Sequence, residues 1–471
     1  MRRPDWKPLL EDACRHATAF FEGLPERPVA PRQGAAAMLA ALDRPLPEAP
    51  GDPRAVLDEL VRTCDPGITG SQSGRFFGWV LGGGLPSAVA ADWLTSTWDQ
   101  NVTSGNGTPA AAAIEQVTTR WVAELLDVPA ASGALVTGGQ MANFVGLAIA
   151  RNEVLRRAGW DFDAEGLLGA PPITVIAGAE RHATVDRALR MLGLGTRQLR
   201  LVETDREGQL RGDAFAEALR GDGPAIVCAQ AGNVNGGGFD PLAEIAEHVA
   251  RARAHRPIWY HLDGAFGLWA RATPARRALA AGAEAADSWS TDAHKWLNTP
   301  FDCGIVLSRD ADAHRRAFNG AAPYLPPASA VRNPFDHTPE LSRRARGFAL
   351  WAALRELGRT GVADLVERCC THATSFARGL AAVPGIEVMN DVRLNQLVVR
   401  FHDPRAAAGD PAAHDAHTHA VIRRTLDSGV CYPTPTVWRG IAAMRISISN
   451  WSTDDADITA SVAAIARAHT T

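Results

Sequence analysis

Short apolar runs punctuate the middle of the chain, separated by longer segments whose apolar residues recur with helical spacing. The runs Ala134–Thr137, Ile173–Ala177, Ala225–Ala229, Ile258–Leu262 and Gly304–Ser308 predict buried strands of a mostly parallel sheet. Segments such as Ala110–Leu126 and Met141–Arg157 predict the helices between them, an α/β pattern over residues 71–345. Residues 1–70 read differently. Helices are expected over Leu9–Phe21, Gly34–Leu42 and Arg54–Cys64, with Pro45, Pro47, Pro50 and Pro53 marking the loop before the last. Few large apolar residues fall on each, so this arm is expected to pack on something else, a dimer contact. Residues 346–471 read as a small α+β domain. It has helices over Gly347–Leu357 and Asp454–His469 and strands over Leu397–Phe401 and Met444–Ser449. The stretch 403–419 reads as a surface loop running into a helix.

Composition narrows the class without naming a chemistry. The chain has 471 residues, 46% hydrophobic and 21% charged, with a net charge of −4. That is a large globular protein with no basic surface for nucleic acid. No apolar run reaches the length of a membrane span. The N-terminus lacks the apolar stretch of a signal peptide, and the seven cysteines include no CxxC pair, which together suit a reducing, cytoplasmic location.

The chemistry enters at Asp292-Ala293-His294-Lys295-Trp296, downstream of His261-Leu262-Asp263-Gly264-Ala265. Lys295 is placed to hold pyridoxal 5′-phosphate (PLP) as a Schiff base, and Asp263, ending an apolar strand, to keep the pyridine nitrogen protonated. A surface salt bridge is the plainer reading of Asp263, but a carboxylate buried at a strand end needs a cationic partner. Three more clusters follow predicted strands, where open α/β sheets bind ligands. Gly138, Gly139, Gln140 and Asn143 open a helix, where backbone N–H groups attract phosphate, although a Gly-Gly turn also serves as a simple connector. His182 opens the helix Ala183–Leu192, placed either to lie on the pyridine ring or merely to cap the helix. The small-residue run Ala229–Asp240, containing Asn233, leaves room for a ligand or makes a tight turn.

In this order the clusters resemble the PLP-dependent group II amino-acid decarboxylases, over about Arg75–Trp451. The resemblance implies fold type I, a homodimer, and decarboxylation of an L-amino acid, with an aromatic substrate the first expectation. It implies catalytic roles for Lys295, His182, Asp263 and Tyr324. Pro323-Tyr324-Leu325 resembles the family's mobile loop, whose tyrosine protonates the α-carbon after CO2 leaves. Ser342–Arg346 resembles the basic segment that follows that loop. It also implies cofactor contacts from Gly138, Gly139, Gln140, Asn143, Asn233, Ala265, Asp292 and His294. Arg75-Phe76-Phe77-Gly78 resembles the family's substrate-side motif, so Phe76, Phe77 and Trp79 are expected to line the substrate pocket. Trp438-Arg439-Gly440 is a further candidate for the mouth of the site.

Departures from the aromatic-acid members mark the substrate and phosphate sides. Gly138, Gly139 and Gln140 replace hydroxyl-rich residues, Asn233 and Val234 replace a Thr-Thr pair, and Asp292 replaces an asparagine. Aldehyde-forming oxidative deamination, decarboxylation of small, acidic or basic amino acids, and aldolase, lyase or aminotransferase chemistry remain open on the same fold. So does a PLP-binding protein without activity. His414, His417 and His419 have metal-like spacing, but their Ala/Asp-rich context reads as solvated loop, and no metal is expected.

Overall fold

The computed structural model describes residues 5–197, 199–320, 331–407 and 410–471. Its central sheet has seven strands: β1 (Ser132–Val136), β2 (Thr174–Gly178), β3 (Leu199–Val202), β4 (Ala225–Gln230), β5 (Ile258–Asp263), β6 (Ser288–Asp292) and β7 (Gly304–Ser308). They run in the order β1-β7-β6-β5-β4-β2-β3. β6, β5, β4, β2 and β3 are parallel; β7 is antiparallel to both of its neighbours.

The unbroken apolar runs follow from burial on both faces. Ile226, Cys228 and Trp259 face one core, with the helix Gly139–Arg157 packed on β5, β6 and β7. Val227, Ala229, Tyr260 and Leu262 face the other. β6 carries the polar sequence Ser-Trp-Ser-Thr-Asp yet is wholly buried, because its hydroxyls are hydrogen-bonded internally.

A second, antiparallel sheet lies toward the C-terminus: β8 (Ile386–Val388), β9 (Gln396–Phe401), β10 (Thr434–Trp438) and β11 (Ile441–Ser447), ordered β10-β11-β9-β8. The helix expected over Gly347–Leu357 continues to Ala381, interrupted at Gly358, whose φ of 60° breaks the helical path. The segment expected as loop into helix forms the helix Pro411–Asp427, and His414 and His417 on it are buried rather than solvated. His417 Nε2 meets His469 Nδ1 at 3.0 Å. Among the described residues no cluster has the makings of a metal site, and no helix is long and apolar enough to cross a membrane. The N-terminal helices Trp6–Glu22, Ala35–Leu42 and Pro53–Cys64 bury none of their residues.

Candidate active site

The carboxyl ends of β1, β2, β4, β5 and β6 point the same way and open into one cavity of about 360 Å³, within the range of small-ligand sites. Gly138, Gly139, Gln140, Asn143, His182, Asp263, Ala265, Asp292, His294, Lys295 and Trp79 all line it. Thus the structure brings together residues separated by more than two hundred positions.

Asp263 ends β5 and is 5% exposed. Its Oδ2 accepts from Asn143 Nδ2 at 2.9 Å and its Oδ1 from the Ala265 N–H at 3.2 Å. Behind it runs a directed chain. Trp259 Nε1–H donates to Ser288 Oγ, whose hydroxyl meets His261 Nδ1 at 2.8 Å; His261 Nε2–H then donates to Asn143 Oδ1 at 2.9 Å. Burial pushes His261 down to about 4, so the ring is neutral and the chain keeps one direction. No ion pair with a lysine or arginine meets Asp263 among the described residues. A buried carboxylate that faces the cavity with no cation paired to it fits a ligand that brings one, such as a protonated pyridine nitrogen.

His182 both caps its helix and faces the cavity. Its Nδ1 accepts from Thr184 N–H at 3.3 Å and lies 2.8 Å from Thr184 Oγ1, which itself accepts from Asn143. Nδ1 is therefore the acceptor, and the ring proton sits on Nε2. Burial lowers the His182 pKa, against the opposing pull of Asp263. Its backbone N–H is held by Gln230 Oε1 at 3.1 Å.

Lys295 follows β6, its Nζ 2.8 Å from Asp292 Oδ2. Gly82 packs so tightly on the backbone here that a Cβ would lie 1.9 Å from the Lys295 carbonyl oxygen. Trp79 and Val80 both have positive φ, 52° and 61°, a conformation costing on the order of 1 kcal/mol or more for each. That strained turn leaves Trp79 half-exposed on the cavity, backed by Tyr432 and Phe76 at 5.6 and 5.8 Å between ring centroids.

Three expected site residues lie elsewhere. Phe76 and Phe77 are fully buried, Phe76 stacked on Tyr432 and Phe77 edge-on to Phe376, so both support the turn from behind rather than line the cavity. Asn233 spends its amide on backbone groups: Oδ1 accepts from the Asn235 and Gly236 N–H groups and Nδ2 donates to the Glu207 carbonyl. The adjacent Val234 lines the cavity instead. Tyr324 lies outside the described residues.

Arg445, on β11, was not singled out by the sequence. It lines the cavity, donates to the Val234 carbonyl at 3.1 Å, and has an unpartnered Nε. Burial lowers its pKa, and no carboxylate pairs with it among the described residues. A strand arginine gives no local signal of this placement; only the fold carries it to the cavity.

Lysine, fixed carboxylate, neutral histidine and a glycine-led helix N-terminus define a fold-type I PLP enzyme. The family model for the pyridoxal-dependent decarboxylase conserved domain matches residues 36–402, and the chain belongs to that family. It is a PLP-dependent amino-acid decarboxylase. It is 28% identical over 379 residues to an aromatic-L-amino-acid decarboxylase of Bacillus atrophaeus, covering 78% of this chain and 76% of that protein. It is 27% identical over 376 residues to an L-2,4-diaminobutyrate decarboxylase of Rhizobium meliloti (strain 1021), covering 77% and 71%. In fold it is similar to a crystal structure of Oryza sativa TDC with PLP and tryptamine, with a TM-score of 0.92, 23% identity and 100% and 99% of the chains covered.

Proposed function

We propose that this decarboxylase acts on an aromatic L-amino acid and releases the amine. The observation that carries the reading is the charge of the cavity wall. Its only lysine and arginine among the described residues are Lys295 and Arg445. Lys295 is the attachment point for the cofactor, which leaves Arg445 for the substrate α-carboxylate. A side-chain carboxylate would then lack a cation of its own. The exposed face of Trp79 offers an aromatic side chain a stacking surface instead.

PLP, when bound, supplies the electron sink that lets the bond to the carboxyl carbon break. The chain's own residues do the rest in this reading. Asp263, held as an acceptor by Asn143, keeps the ring-nitrogen proton. His182 presents Nε2–H to the cavity, Gly138, Gly139 and Gln140 hold the phosphate, and Arg445 fixes the carboxylate that leaves. Tyr324 is assigned the proton delivered to the α-carbon, on the strength of the sequence resemblance alone.

The reading includes a homodimer built on an arm of residues 1–70, beside a cofactor domain of 71–345 and a smaller domain of 346–471. Trp6, Leu10, Leu39 and Leu42 of the arm are exposed, which supports a partner there. Seven unpaired cysteines support the cytoplasmic location. The substrate assignment is tested by Trp79→Ala, which raises KM for an aromatic substrate at least severalfold while kcat changes less. An unchanged KM contradicts it.

A further inference from the structure

Asp292 is a carboxylate where an anion is due to bind. It ends β6 with 1% exposure, and neither oxygen accepts a well-formed hydrogen bond. It lies against the N-terminus of the helix Gly139–Arg157: a Cβ on Gly139 would sit 2.7 Å from Asp292 Oδ2, and one on Gly138 3.8 Å from Oδ1. That helix end, with its unpaired N–H groups, is the place for the cofactor phosphate. In the structure the charge of Asp292 is met by Lys295 at 2.8 Å. Once Lys295 is committed to the cofactor, that ion pair is gone and a second anion has arrived.

The surrounding groups leave few places for a compensating proton. His294 Nε2 faces Asp292 Oδ1 at 3.4 Å, but its Nδ1 accepts the Cys303 N–H at 3.0 Å. Its one ring proton is therefore already on Nε2, and charging the ring would break the Cys303 bond. Burial disfavours the charged ring as well. His182, whose Nδ1 is likewise an acceptor, and Asp263 and Arg445 face the same space. Asp302 is taken up by Arg346, and the Cys303 thiol is buried and neutral.

We infer that Asp292 and the bound phosphate share one proton, so that cofactor uptake is coupled to proton uptake at this residue. Two anions crowded at one helix end hold a proton between them rather than both ionise. A phosphate ester with a second pKa near about 6 is suited to it. Asp292 then discriminates in favour of a singly charged phosphate and releases Lys295 as the phosphate arrives. This inference rests on the assignment of PLP to the cavity.

The test is calorimetric titration of the full chain, freed of cofactor, with PLP in two buffers of different ionisation enthalpy, for the parent and Asp292→Asn. The parent is expected to take up about one proton more than the variant, and its affinity to fall by up to about tenfold per pH unit on the alkaline side. The near-isosteric variant, by contrast, lacks that extra alkaline fall and binds roughly tenfold more tightly at about pH 8. Pyridoxal, which has no phosphate, is expected to give a smaller difference in proton count between the two proteins than PLP does. Equal counts with PLP, or weaker PLP binding by the variant at every pH, overturn the inference while leaving the cofactor assignment intact. No PLP binding by either protein overturns both.

Discussion

Asn143 Nδ2 lies 2.9 Å from Asp263 Oδ2 and acts there only as a donor, because Asn143 Oδ1 already accepts from His261 and Ser290. Asp263 is thereby held as an acceptor toward the cavity. Asp263→Asn should keep the fold and the PLP content but lose about 10²-fold or more in turnover, a few kcal/mol of transition-state stabilisation. Cofactor content by absorbance and initial rates check both halves. A rate within a few-fold of the parent assigns the ring proton to another group.

Lys295 should carry the cofactor. Borohydride reduction and peptide mass mapping should place the pyridoxyl group on Lys295, beside Asp292, and on no other lysine. An adduct elsewhere in a cofactor-loaded protein rejects the assignment.

His261 makes stability pH-dependent. Its pKa is lowered from 6.5 to about 4 by complete burial, so the folded state binds fewer protons than the unfolded chain between those values. The contribution is fully present above about 6.5 and is lost as pH falls toward about 4. That amounts to on the order of 3 kcal/mol. Urea unfolding across this window should show a steeper acid loss for the parent than for His261→Gln. Parallel curves would mean that the ring is not held neutral.

Tyr324→Phe should still release CO2 but yield little amine, with aldehyde, ammonia and peroxide appearing under air. Product analysis from one reaction decides it. Equal CO2 and amine at the parent rate would remove Tyr324 from the proton-transfer step.

The pattern of the sequence revealed the strands that are buried on both faces, because they must be apolar throughout. It did not reveal β6, whose serines earn their burial by bonding Trp259, His261 and Asn143, nor β3, where Arg200 and Leu201 are exposed. The helix expected over Gly347–Leu357 is longer because the chain turns at Gly358 and then resumes a helix. The placement of Lys295, Asp263 and His182 beside one cavity was legible because each sits in a short motif after a strand. That of Arg445 was not, since it reaches the cavity only once β11 meets the Val234 loop. Phe76 and Phe77 were misplaced for the converse reason. Sequence adjacency to Trp79 does not say which ring the turn sends into the cavity, and the left-handed backbone at Trp79 and Val80 sends the indole alone.

The substrate assignment is the central claim, and paired CO2 and amine release from a panel of amino acids tests it most directly. Tryptophan, tyrosine and phenylalanine should be decarboxylated with one amine per CO2 and with the highest kcat/KM among the panel. Release confined to glutamate, aspartate or 2,4-diaminobutyrate, with none from the aromatic amino acids, would contradict the account.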